Sequence, residues 1–292
     1  VVLSGELFLF TLTVALLGFL IGSFLNVVIH RIPMMMFREW TTEASQFLIE
    51  KGYVSESALT IPEQKNAYNL VVPNSACPVC NHQIRWYENI PILSYLWLRG
   101  KCSDCKTPIS IRYPLVELLT GIVFGYTAYR FGLTPLTGFL LVLSCLLIAM
   151  TFIDIDHKLL PDSLTYMALW LGIVASLAGL TIPLEQAIIG TMAGYLSLWS
   201  VYWGFKLLTG KEGMGYGDFK LLAAFGAWLG WEPLIVLILM ASLSGVILSV
   251  TLMATKVLKR GESIPFGPYL AIGGWITLYF QDTLVAWVLA PY

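Results

Sequence analysis

Eight long apolar runs, separated by charged residues, glycine or proline, dominate this 292-residue chain. They extend roughly from Leu7 to Ile29, Pro114 to Tyr129, Leu136 to Ile153, Leu164 to Ile182, Ala187 to Leu208, Phe219 to Trp231, Leu234 to Thr255 and Phe266 to Ala290. A bilayer core about 30 Å thick is crossed by about 20 mostly apolar helical residues, which is the kind of segment repeated here. Only 12% of the residues are charged, against about 25% in an average globular chain, so a soluble domain is excluded. The expected fold class is an all-α polytopic membrane protein with about eight transmembrane helices. The sixth run is short for a full span unless the Gly-rich segment before it is also helical. The eighth contains Gln281 and Asp282 and is expected to end early, leaving an interfacial tail.

Charge sets the orientation. Lys and Arg concentrate in cytoplasmic loops, and of the 17 Lys and Arg residues only Arg130 falls opposite the others when eight spans are drawn. Both ends of the sequence are then expected outside, with the loops after spans one, three, five and seven in the cytoplasm. The first run lacks a basic leader, and its charges, His30-Arg31, follow it. It is read as a permanent helix and not as a cleaved signal.

The expected organisation is a first transmembrane helix over 1–30, a cytoplasmic loop domain over 31–112 and a transmembrane domain over 113–292. The loop domain carries Cys77-Pro-Val-Cys80 and Cys102-Ser-Asp-Cys105. Two such pairs at this spacing suit one tetrahedral Zn²⁺, and a reducing cytosol disfavours the alternative of two disulfides. Cys77, Cys80, Cys102 and Cys105 are therefore the expected ligands of a structural zinc knuckle. Four thiolates leave no open position, so the metal should hold the fold and not activate water. The fifth cysteine, Cys145, lies in the third run and is read as packing. Trp40, Ala44, Phe47 and Leu48 recur at helical spacing, which fits either an amphipathic surface helix or an ordinary core face.

Carboxylates at the ends of apolar runs are costly unless they face a protein interior or a wet cavity. Two clusters qualify: Asp154-Ile-Asp156 with Asp162 after the third run, and Gly215-Tyr-Gly217-Asp218 before the sixth. Asp162 or Ser163 is expected to cap the next helix. Asp154 and Asp156 are about 200° apart around a helix, so only one can face a given partner. Asp154, continuous with the apolar run, is the one expected to act. The glycines before Asp218 permit tight turns and close approach of another chain. Two facing aspartates share one proton. The ionised member takes a proton from water while the other polarises a peptide carbonyl, which is aspartic-protease chemistry.

Taken in order, Gly22-Ser-Phe-Leu-Asn26 through Arg31-Ile-Pro33, the two Cys-x-x-Cys pairs, Leu98-Arg-Gly-Lys-Cys102, Ile111-Arg-Tyr-Pro-Leu-Val-Glu117, Asp154 through Leu160-Pro-Asp162, Gly215-Tyr-Gly-Asp218 and Pro265-Phe-Gly-Pro-Tyr269 resemble the bacterial type IV prepilin peptidases. The resemblance covers nearly the whole chain, with a variable insert from Met34 to about Val72. It implies an inner-membrane GxGD-type aspartic peptidase with catalytic Asp154 and Asp218. Such an enzyme cuts the basic leader of type IV prepilins, or of type II secretion pseudopilins, on the cytoplasmic side after a Gly. The resemblance also implies N-methylation of the new terminus with S-adenosylmethionine, involving Gly100 and Lys101. The chain carries no Gly-rich Rossmann fingerprint, so the methyltransferase rests on resemblance alone. The lipid bilayer is the other expected partner, and no nucleic acid is expected. The competing readings are a proton-coupled transporter using the paired aspartates and a non-enzymatic assembly factor. Neither gives both the dyad and the cysteine module a place.

Overall fold

The computed structural model describes residues 5–55, 67–255 and 264–289. Lys65, Lys256, Lys259 and Arg260, which contribute to the charge bias, lie outside them, as does Ala290 at the end of the eighth run. Among the described residues every regular element is helical, apart from two isolated antiparallel bridges. The α-helices are α1 (Gly5–Glu50), α2 (Leu93–Trp97), α3 (Arg112–Phe131), α4 (Pro135–His157), α5 (Asp162–Leu177), α6 (Leu184–Thr209), α7 (Tyr216–Leu229), α8 (Glu232–Ala254) and α9 (Gly267–Leu289). Three of them, α1, α4 and α8, are long and apolar enough to cross a membrane, and α5 is a shorter apolar helix. The chain is a membrane protein.

It divides into two compact units, Leu16–Ile122 and Val1–Ala15 with Val123–Tyr292. In the first, α1 continues without a break through His30 and Pro33 to Glu50, about 69 Å at 1.5 Å per residue. Trp40, Ala44, Phe47 and Leu48, which fit an amphipathic surface helix or an ordinary core face, therefore belong to the last turns of α1. Trp40, Ala44 and Phe47 are exposed there, while Ser45 is buried.

In the second unit α7 is the central element, packed by α5, α6, α8 and α9. From Asp218 to Leu229 every residue except Lys220 is buried. This accounts for the short sixth run, since a helix that is apolar all round belongs inside a bundle. Its start at Tyr216 takes in part of the Gly-rich segment. Glycines let α6 and α7 touch through their backbones. A Cβ on Gly194 would stand 2.6 Å from the Leu222 carbonyl oxygen, and Gly190 and Gly226 face each other directly. Small residues four apart permit this approach in apolar surroundings, where dispersion and not water exclusion holds helices together. Trp228 of α7 donates its Nε1–H to the Ala168 carbonyl of α5 at 3.0 Å.

Two expectations need adjustment. α5 is not capped by Asp162 or Ser163: Pro161 occupies the N-cap position and no side-chain cap bond forms. Proline's fixed φ suits the helix entry, and Asp162 is drawn instead to Lys220, whose Nζ lies 2.6 Å from its Oδ1. The eighth run is helical to Leu289 but breaks at Phe280 (φ −126°, ψ 24°), directly before Gln281 and Asp282.

Candidate active site and thiolate centre

Asp154 sits in the last turn of α4. The helix stops because Lys158 takes a left-handed conformation (φ 53°) and donates its N–H to the Asp154 carbonyl at 2.8 Å. Pro161 then prevents its resumption. Asp154 is 5% exposed, and Asp156, on the other side of the helix, is exposed. The Asp154 Oδ2 accepts the main-chain N–H of Gly267, the first residue of α9, at 3.0 Å.

Asp218 lies in the first turn of α7, behind Gly215 at the N-cap, and is 7% exposed. Its own N–H donates to the Gly215 carbonyl at 3.3 Å. Leu160, buried after the end of α4, packs against the flanking glycines of both aspartates. A Cβ on Gly217 would stand 2.7 Å from Leu160 Cβ, and a Cβ on Gly267 would stand 3.2 Å from the Leu160 methyls and 2.6 Å from Asp154 Oδ2. Bulk at either glycine would therefore disturb the carboxyl beside it. Two sequestered carboxyls arranged around one side chain can share a proton and divide acid and base roles between them.

In the other unit each Cys-x-x-Cys forms a tight turn. Asn81 and Lys106, one residue past each pair, have φ of 58° and 59°, and their N–H groups return to the Cys77 and Cys102 carbonyls at 2.9 and 3.2 Å. The bridges Ala76 with Gln83 and Lys101 with Pro108 close the two turns. The four sulfurs lie within 4.8 Å of one another, with Cys77 to Cys105 at 3.7 Å and Cys80 to Cys102 at 3.9 Å. Four thiolates about 2.3 Å from a tetrahedral Zn²⁺ would stand about 3.8 Å apart, so the cluster is compatible with a structural zinc.

Beside it, Glu88 Oε2 lies 3.1 Å from His82 Nε2 and accepts the Arg85 N–H at 2.9 Å, while Ser103 Oγ is 3.2 Å from the same His82 nitrogen. Burial works against the Glu88 charge, but the Arg85 N–H and the Ser103 and His82 side chains outweigh it and hold the carboxyl at about 2. Gly100 has a positive φ of 67°, and the place of a Cβ there is 2.9 Å from the Tyr95 hydroxyl, so the turn itself demands glycine. Lys101, next to Cys102, is exposed.

Several residues that stand in the sequence only as parts of motifs have visible tasks. Gly22 lies against α3, where a Cβ would stand 2.7 Å from the Glu117 Cα. Asn26 donates to the Tyr113 carbonyl at 3.1 Å, and buried Glu117 accepts the Ile92 N–H at 2.8 Å. Buried Arg31 donates to the Asn69 and Pro73 carbonyls. Gly267 and Leu160 were not assigned roles from sequence. The available signal was a glycine followed by Pro268 at a helix start, a pattern that fixes backbone position without naming a partner.

Residues 16–131 match the bacterial peptidase A24 N-terminal domain, and residues 141–250 match the type IV leader peptidase family. A prepilin leader peptidase/N-methyltransferase of Pseudomonas aeruginosa is 55% identical over 276 residues, 94% of this chain and 92% of the relative. Those of Stutzerimonas stutzeri (52%, covering 95% of this chain and 93% of the relative) and Neisseria gonorrhoeae (48%, covering 92% and 90%) are also similar. No solved structure gives a significant match. The chain belongs to the type IV leader peptidase family.

Proposed function

We infer that this protein cleaves the basic leader of type IV prepilins, or of type II secretion pseudopilins, and then N-methylates the exposed terminus. The observation that carries this reading is the convergence of two buried carboxyls, Asp154 of α4 and Asp218 of α7, on Leu160, which packs against the glycine beside each of them. Asp154 and Asp218 form the catalytic dyad. One carboxylate removes a proton from water while its protonated partner polarises the peptide carbonyl after the leader's last Gly.

The eight helices α1 and α3 to α9 form eight spans of the bacterial inner membrane, with the dyad at the cytoplasmic face. The Lys and Arg bias supports that orientation. A substrate whose own helix is inserted with a basic leader in the cytosol is cut at this interface. Residues 31–112 form the cytoplasmic loop domain and 113–292 the peptidase domain. Cys77, Cys80, Cys102 and Cys105 hold a structural Zn²⁺, which fixes the two turns and the loop leading from Gly100 to Lys101. S-adenosylmethionine, when bound, supplies the methyl group. Gly100 shapes the turn there and the exposed Lys101 offers a cation to an anionic group. Both the peptidase names of the relatives and their methyltransferase names support this pairing of activities.

The test is incubation of the purified protein with a prepilin and S-adenosylmethionine, followed by intact mass. Loss of the leader and gain of one methyl is the expected product. Transport of a solute without cleavage would overturn the reading.

A further inference from the structure

The proposed dyad leaves open which carboxyl is the base, and the start of α9 bears on that choice. The first N–H groups of a helix have no acceptor within it and carry partial positive charge. In α9, Pro268 has no N–H and that of Tyr269 returns to the Phe266 carbonyl at 3.1 Å. The Gly267 N–H is directed at Asp154 Oδ2, 3.0 Å away and buried. A main-chain N–H can only donate, and its bond to a carboxylate oxygen is about twice as strong as one to the carbonyl of a neutral acid, so it favours the ionised form of Asp154. Gly267 must also lack a side chain, because a Cβ would stand 2.6 Å from that same oxygen.

We propose that Gly267 is a positioning residue that holds Asp154 as the carboxylate, so that Asp154 is the general base and Asp218 carries the shared proton. This rests on the dyad reading above. Asp154 takes a proton from water as the water oxygen bonds to the scissile carbonyl carbon, and the Asp218 proton passes to the carbonyl oxygen, giving a gem-diol. Asp154 then returns its proton to the leaving nitrogen. Asp218 recovers one from a diol hydroxyl as the C–N bond breaks, so acid and amine are released and the starting protonation is restored.

Gly267→Ala pushes on the oxygen that the N–H holds. Its expected effect is a fall of about a hundredfold in the kcat for leader cleavage, with KM for the prepilin unchanged and methylation of an already cleaved pilin unchanged. Equal loss of both activities would make Gly267 structural and overturn the proposal. Wild-type cleavage would do the same. In Gly267→Ala with Leu160→Ala, cleavage stays low; recovery would assign the effect to crowding of Leu160 and also overturn it.

The role assignment is read from single-turnover cleavage by the asparagine variants. An amide at position 218 still donates to a carbonyl, whereas one at 154 cannot accept a proton. Both variants lose at least about a thousandfold, and Asp218→Asn retains about ten times the residual rate of Asp154→Asn. Equal residual rates, or the reverse order, overturn the assignment and leave the dyad standing. Near-normal cleavage by either variant sinks the dyad itself.

Discussion

Lys220 Nζ and Asp162 Oδ1 stand 2.6 Å apart, joining α7, two residues past Asp218, to the first turn of α5. The carboxylate is 56% exposed, and such pairs contribute about 0 to 1 kcal/mol. Packing around α7, and not this contact, should hold Asp218 in place. Asp162→Asn is expected to shift the melting temperature in detergent by no more than a few degrees and to keep cleavage within about threefold of wild type. A loss of a hundredfold would give Asp162 a part in the chemistry.

Asp156 tests the choice between neighbouring carboxylates. It is exposed where Asp154 is buried, so Asp156→Asn should retain most of the cleavage rate. Initial rates on a prepilin decide the point, and an inactive but folded variant would move the site.

The α6 to α7 crossing leaves no room for a methyl group. In Gly194→Ala the new Cβ meets the Leu222 carbonyl at 2.6 Å. The helices must part, at a cost of about 1 to 3 kcal/mol. Lowered thermal stability together with reduced cleavage is the expected result. An unchanged melting temperature would show that the helices do not pack through their backbones.

Glu117 is buried and accepts the N–H of Ile92, itself at a positive φ of 61°. Glu117→Leu strands that donor and should cost about 1 to 3 kcal/mol. Glu117→Gln keeps an acceptor oxygen and should be milder. Thermal unfolding of the two variants compares them, and equal melting temperatures would remove the hydrogen bond from the account.

For the thiolate cluster, elemental analysis should find one zinc per chain. Cys77→Ser and Cys105→Ser should each lose it, and with it the shape of the loop carrying Lys101, so that methylation falls more than cleavage. A metal-free protein with both activities would refute the structural zinc.

Much of this was legible in the sequence because the signals were local. The Cys-x-x-Cys turns, the apolar runs and the burial of Asp154 over Asp156 follow from spacing along one segment. What stayed hidden depends on pairs far apart in the chain. Pro161 takes the cap position, and the Asp162 carboxylate meets Lys220 on another helix, a partner 58 residues away. The continuity of α1 was obscured because its apolar run ends at Ile29 before His30-Arg31, whereas the helix itself carries on through Pro33, a long helix being able to absorb one lost hydrogen bond. Gly267 could be seen as a helix start, but its acceptor, Asp154, is 113 residues away.

The dyad is most directly tested by incubating Asp154→Asn and Asp218→Asn separately with prepilin and S-adenosylmethionine, reading intact mass, and supplying cleaved pilin in parallel. The expected result is that each variant leaves the leader attached, losing cleavage at least about a thousandfold, while still inserting in the membrane and methylating the cleaved pilin. Full cleavage by either variant would contradict the account.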